Sequence, residues 1–148
     1  MMSLEIRDID TSEGLRACFP LMRQLRPHLS GPDELVERWE RQRREGYRLL
    51  GLYQDERLVA LAGWRPTENL VHGRHMYVDD LVTDESCRGQ KLGEALLNHL
   101  RRLAGRHDCA KLLLDTPMAN TLGHRFYYRQ GLVATALRFL QPLRDPSA

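Results

Sequence analysis

The sequence predicts an α/β domain in which helices pack on a central mixed, twisted sheet. Three observations lead there. A chain of 148 residues, 42% of them apolar, suffices for one closed core and falls short of two ordinary domains, so residues 1–148 are read as a single domain. Two apolar runs, "YRLLGLY" and "RLVALAGW", flank a short polar turn at Asp55 and Glu56, the mark of an antiparallel hairpin of well-buried strands. Further on, "HMYVDDLVT", a helical stripe and "AKLLLDT" succeed one another, the order of a right-handed crossover between parallel strands.

Each element has its own warrant. "LEIRDI" reads as a first strand, and Thr11 or Ser12 can cap a helix whose apolar residues Leu15, Cys18, Phe19, Met22 and Leu25 recur at helical spacing. Pro20 is expected to bend or divide that helix. "SGPDELVERWERQRREG" starts another, with Pro32 fit for the first helical position, Asp33 and Glu34 at its positive end, and Gly46 as terminator. After the hairpin, "NLVHGR" is a polar connection to the strand from about His75 to Thr83. The next helix carries Leu92, Ala95, Leu96, Leu100, Leu103 and Ala104 on one face and is expected to run from Gln90 to Ala104, with Gly105 ending it. Asn120 to Gln130 reads as a shorter helix closed by Gly131, and "ATALRFLQPL" as a last strand.

Composition narrows the function. Formal charge is +2, from 22 basic and 20 acidic residues, too balanced to imply a nucleic-acid partner. The arginines of "ERWERQRREGYR" interleave with Glu37, Glu40 and Glu45 as on a solvated helix face. No apolar run approaches the roughly 20 residues that span a bilayer, and the acidic start "MMSLEIRDID" does not resemble a secretory signal. A cytoplasmic protein with no membrane partner is expected. Cys18, Cys87 and Cys109 lack paired-ligand spacing, and His72 and His75 form an H-x-x-H without a further ligand, so neither a disulfide framework nor a metal site is read.

The informative stretch is "SCRGQKLGEALLNHL". Unsatisfied N–H groups and the partial positive charge of a helix start hold phosphate well, above all where glycine admits the ligand to the main chain. This start follows the strand bearing "DDLVT", and sites in such sheets lie beyond the carboxyl ends of parallel strands. Neither G-x-x-x-x-G-K-[ST] nor G-x-G-x-x-G is present, which turns the reading away from nucleotides held by those loops. The alternative is a helix start whose glycines serve packing alone.

"DDLVTDESCRGQKLGEALL" together with "ANTLGHRFYYRQGL" resembles the central part of the GNAT N-acetyltransferase superfamily, from about Leu49 to Leu140. Arg88 and Gly93 match its Q/R-x-x-G-x-G/A signature, with Lys91 at the middle glycine. Asn120, Phe126, Tyr127 and Gly131 match a second block, in which Gly123 stands at the usual alanine and Leu132 at the usual phenylalanine. The resemblance implies a GNAT-like acyl-CoA N-acyltransferase fold and acetyl-CoA as donor. It implies a pyrophosphate held by the main chain of Arg88, Gly89, Gln90, Lys91, Leu92, Gly93 and Glu94, a pantetheine arm paired with Leu81, Val82 and Thr83, and Asn120 as a further cofactor contact. At Lys91 a place in the first helical turn allows a negative φ, so no strain is expected.

The acceptor implied is a primary amine of a small molecule or protein, attacked directly in a ternary complex. Such an amine, with a pKa near 10.4 when it resembles lysine, must lose a proton at pH 7. Asp79 is the first choice of base and Asp80 the second; consecutive strand residues point to opposite faces unless a bulge turns both. The alternative is that they neutralise Arg65 and Arg74. Tyr127 matches the family's tyrosine and can return a proton to the leaving sulfur, while a main-chain N–H near Val82 polarises the carbonyl. Cys87, read at a helix start, offers a lesser route through an acyl-enzyme. A non-catalytic acyl-CoA-binding sensor is the other class of function that fits. Oligomeric state is open, with exposed edge strands making a homodimer one of the states available.

Overall fold

A computed structural model describes residues 3–144. The chain divides into two units, residues 1–114 and 115–148, which are taken in turn.

The first unit holds a five-stranded sheet in the order β1 (Leu4–Ile9), β2 (Arg48–Gln54), β3 (Arg57–Asn69), β4 (Gly73–Thr83) and β5 (Lys111–Leu114). The first three pairings are antiparallel, and β4 with β5 is parallel, as the strand, helix, strand order requires. The β2–β3 turn uses Asp55 and Glu56, both with positive φ, the left-handed pair that a tight hairpin turn needs.

Two helices precede the hairpin. Helix α1 (Ser12–Leu25) is capped by Thr11, whose hydroxyl accepts from the Gly14 N–H. Pro20 does not divide it. Pro20 and Arg16, the residue whose carbonyl loses its helical donor, both lie on the exposed face, where water can replace the missing N–H. Helix α2 (Pro32–Arg43) begins with Pro32 as expected.

Helix α3 (Leu92–Arg106) makes the crossover from β4 to β5. It starts two residues later than its periodicity suggests and runs through Gly105. Its left-handed terminator is Asp108, with the Asp108 N–H on Gly105 O and the Cys109 N–H on Ala104 O, a Schellman end built without glycine.

Strand alternation divides the core. Leu49, Leu61 and Val82 join Ile9, Leu15, Phe19, Met22 and Trp39 in the cluster beneath α1 and α2. Their neighbours Leu50, Ala60 and Ala62 are equally buried and turn to the opposite face, where α3 packs on β3, β4 and β5. Among the described residues no helix is long and apolar enough to cross a membrane.

In the second unit, helix α4 (Thr121–Arg129) is capped by the Asn120 side chain, which accepts from the Gly123 N–H. It ends at Gly131, φ +90°, with the Leu132 N–H on Tyr127 O and the Gly131 N–H on Tyr128 O. The strand expected over "ATALRFLQPL" does not form. This unit has no other strand among its described residues to supply ladder bonds, Pro142 removes a donor, and Val133, Leu137, Phe139 and Leu140 are exposed. An ion pair joins Arg138 to Asp115.

Candidate active site

The β3–β4 ladder pairs Gly63 with Asp80 and Trp64 with Val78, which leaves Asp79 as an extra residue on β4. Such a bulge interrupts the strict alternation of the pleat. Asp79 and Asp80 consequently line one cavity of about 260 Å³ among α1, α2, β2 and β4, with Arg26, Trp39, Gln42 and Tyr47.

The partners of the two acids are distinct. Asp79 receives a forked pair from Arg65, Nε to Oδ1 and Nη2 to Oδ2, each 3.0 Å. Arg65 also donates to Gln42 Oε1 at 3.2 Å. Asp80 Oδ1 accepts from Arg26 Nε at 2.9 Å, and Oδ2 accepts from the Tyr47 hydroxyl at 2.7 Å. Arg26 Nη2 donates in addition to the Asp79 carbonyl at 2.7 Å, which ties down the bulge. Arg74, the other expected partner, donates instead to the His107 carbonyl.

Burial raises the Asp79 carboxyl above the usual aspartate value, against the Arg65 guanidinium, which lowers it. Burial, with the Asp80 charge beside it, also raises the Tyr47 phenol well above an ordinary tyrosine, so Tyr47 keeps its proton and donates. Tyr47 reaches Asp80 because Gly63 has no side chain: a Cβ there would collide with the Tyr47 ring.

Beyond the cavity, the β4–β5 ladder ends at Val78–Leu114. Residues Asp79–Thr83 continue along β3 alone, so Leu81, Val82 and Thr83 lie on a length of β4 that no strand among the described residues covers on its β5 side. A turn of 3-10 helix, Glu85–Cys87, leads to Arg88, to Gly89 at φ +85° and to Gln90. Lys91 is the N-cap of α3, and its φ is +60°, not the negative value that a first helical turn allows. The expectation fails because α3 begins at Leu92, which leaves Lys91 outside the first turn at a position suited to glycine. Its side chain makes no capping bond, so the first-turn amides of Leu92, Gly93 and Glu94 are not covered by it.

Cys87 is corrected as well. It closes the 3-10 turn, 4% exposed and beside Ser86 Oγ, five residues short of α3. His72 and His75 meet edge to face, and His72 Nδ1 contacts Lys111 Nζ. In the second unit Asn120 spends its side chain on the α4 cap and on Thr116 Oγ1. Tyr127 lies on α4 with its ring against Phe126, and burial raises its phenol above the ordinary value.

A sheet whose parallel pair stops short, a bulged acidic strand and an open helix start together define an acyltransferase architecture, and comparison with known proteins agrees. The model of the Acetyltransferase (GNAT) family matches residues 10–132, and the chain belongs to that family. It is an acetyl-CoA-dependent N-acetyltransferase. An uncharacterized N-acetyltransferase of Bacillus subtilis, YhdJ, is 26% identical over 141 residues, covering 95% of this chain and 99% of that protein. A Trypanosoma brucei acetyltransferase superposes with a TM-score of 0.76 at 24% identity, over 95% of this chain and 100% of its own. The aminoglycoside N-acetyltransferase AAC(6')-Iy, solved in complex with CoA, gives a TM-score of 0.83 at 17% identity, over 98% and 97%.

Proposed function

We propose that this protein acetylates a primary amine held in the cavity beside Asp79 and Asp80, by direct attack in a ternary complex. The observation that carries the reading is the bulge, which turns two consecutive carboxylates into one cavity at the end of the β4–β5 ladder. The family match spans residues of both units and supports their acting as one catalytic domain.

The chain offers acetyl-CoA the two features it needs: uncapped amides at a helix start for a diphosphate, and an unpaired strand edge for an amide-bearing arm. Bound there, acetyl-CoA supplies an acetyl thioester. The amides of Leu92, Gly93 and Glu94, with those of Arg88, Gly89, Gln90 and Lys91, hold the diphosphate, and Leu81, Val82 and Thr83 pair with the arm.

Asp79 removes the proton from the acceptor ammonium, directly or through water. Its raised pKa brings it nearer the working pH, where a carboxylate is the more effective base. Asp80, held by Arg26 and Tyr47, orients the amine with its remaining lone pairs. Tyr127 Oη keeps a proton available to the departing sulfur. The burial of Cys87 favours direct attack over an acyl-enzyme.

Initial rates of thiol release, with amine and acetyl-CoA both varied, test the reading. Intersecting double-reciprocal lines and an acetylated amine by mass spectrometry are expected. Parallel lines would mean an acyl-enzyme and reject direct attack.

A further inference from the structure

The cavity beside the two acids has an apolar half and a polar half of nearly equal extent. Leu15, Met22, Leu29, Leu35, Trp39 and Leu49 line it, and none is more than 7% exposed. Its charged residues cancel. Asp79 is matched by Arg65 and Asp80 by Arg26, and all four carboxylate oxygens already accept a bond. The two remaining basic lining residues, His28 and Arg38, are both exposed, and Arg38 pairs with Glu34.

A polycation entering such a cavity gives up hydration at each ammonium and finds no surplus negative charge to replace it. An amino sugar must likewise bury hydroxyls against leucine side chains, which offer no hydrogen bonds. A single amine on an apolar body suits both halves of the lining. Its nitrogen meets the free lone pairs of Asp79 and Asp80, and its body lies on Trp39 and the leucines. At protein packing density, about 260 Å³ accommodates roughly 190 Å³ of ligand, the scale of an aromatic or branched aliphatic amine.

We infer that the acceptor is a small apolar monoamine, an arylalkylamine or branched alkylamine, bound with its body against Trp39 and its nitrogen at the paired acids. The inference rests on the reading of this cavity as the acceptor site. It assigns specificity to the wall made by α1 and α2 and to the two arginines that cancel the acids.

Two measurements on the full chain test it. Thiol release from acetyl-CoA is followed with 2-phenylethylamine, 3-methylbutylamine, spermidine and glucosamine, and 2-phenylethylamine is titrated against tryptophan emission in the presence of coenzyme A. The two apolar amines are expected to exceed the others at least about tenfold in kcat/KM, a difference of 1.4 kcal/mol in transition-state binding. A saturable emission change is expected in the wild type and is expected to vanish in Trp39→Phe, which keeps an aromatic ring in the core. Preference for spermidine or glucosamine overturns the inference and leaves acetyl transfer at this cavity standing. A saturable, Trp39-dependent signal without acetylation of any amine supports the inference and overturns the proposed reaction. Absence of both signal and acetylation overturns the inference.

Discussion

Arg65 grips Asp79 through both carboxylate oxygens, at 3.0 Å each, while the surrounding protein pushes the same carboxyl toward its protonated form. The two influences oppose, and burial prevails. Removing Arg65 therefore drives the Asp79 pKa further upward and leaves the proposed base protonated over a wider pH range. For Arg65→Met the acid limb of kcat/KM against pH is expected to move to higher pH, with activity at pH 7 reduced about tenfold or more. A uniform loss with the limb unmoved would show that Arg65 acts other than through Asp79.

Tyr47 and Gly63 form a single device. Tyr47→Phe removes the donor to Asp80 Oδ2 and is expected to cost about 1–3 kcal/mol in chemical denaturation. Gly63→Ala drives a methyl group into the Tyr47 ring and is expected to destabilise by about 2 kcal/mol. In the double variant the two costs are expected to fall short of their sum, because both act on one contact.

Lys91 occupies a left-handed N-cap without making a capping bond. Lys91→Gly relieves that conformation and is expected to raise thermal stability by up to about 1 kcal/mol, with coenzyme A affinity within about tenfold, or 1.4 kcal/mol. Gly93→Val places a branched side chain in the first turn of α3 and is expected to abolish coenzyme A binding in calorimetry while the chain still unfolds cooperatively.

Tyr127→Phe removes the hydroxyl proposed as proton donor and keeps the ring. A loss of about a hundredfold in kcat is expected, with coenzyme A affinity nearly unchanged. Equal losses in both would make Tyr127 a binding residue and not an acid.

The hairpin, the crossover and the starts of α1, α2 and α4 were legible because each depends on local period, capping or turn chemistry. The shared orientation of Asp79 and Asp80 was legible only as an alternative, conditional on a bulge. Alternation along "VDDL" assigns them opposite faces, and the extra residue is created by pairing with β3. One signal pointed to it: Gly63 inside the buried run "LAGW", where a glycine marks a bulge or a close approach. Arg26 and Tyr47 come from segments distant in sequence, and no spacing rule brings them to Asp80. Arg65, 14 residues before Asp79 along the hairpin, does pair with it, whereas Arg74 turns to the His107 carbonyl. The last strand shows the converse limit, since its alternation was readable but a strand exists only with a neighbour to bond.

The acids and the uncovered edge are successive residues of β4, whereas the apolar wall opposite comes from α1 and α2. On the function proposed above, the base and the choice of amine thus belong to separate pieces of chain. Substitutions along the inner faces of those two helices are then expected to recut the choice of amine without disturbing the strand that carries the acids, leaving relatives that share this sheet free to diverge in diet.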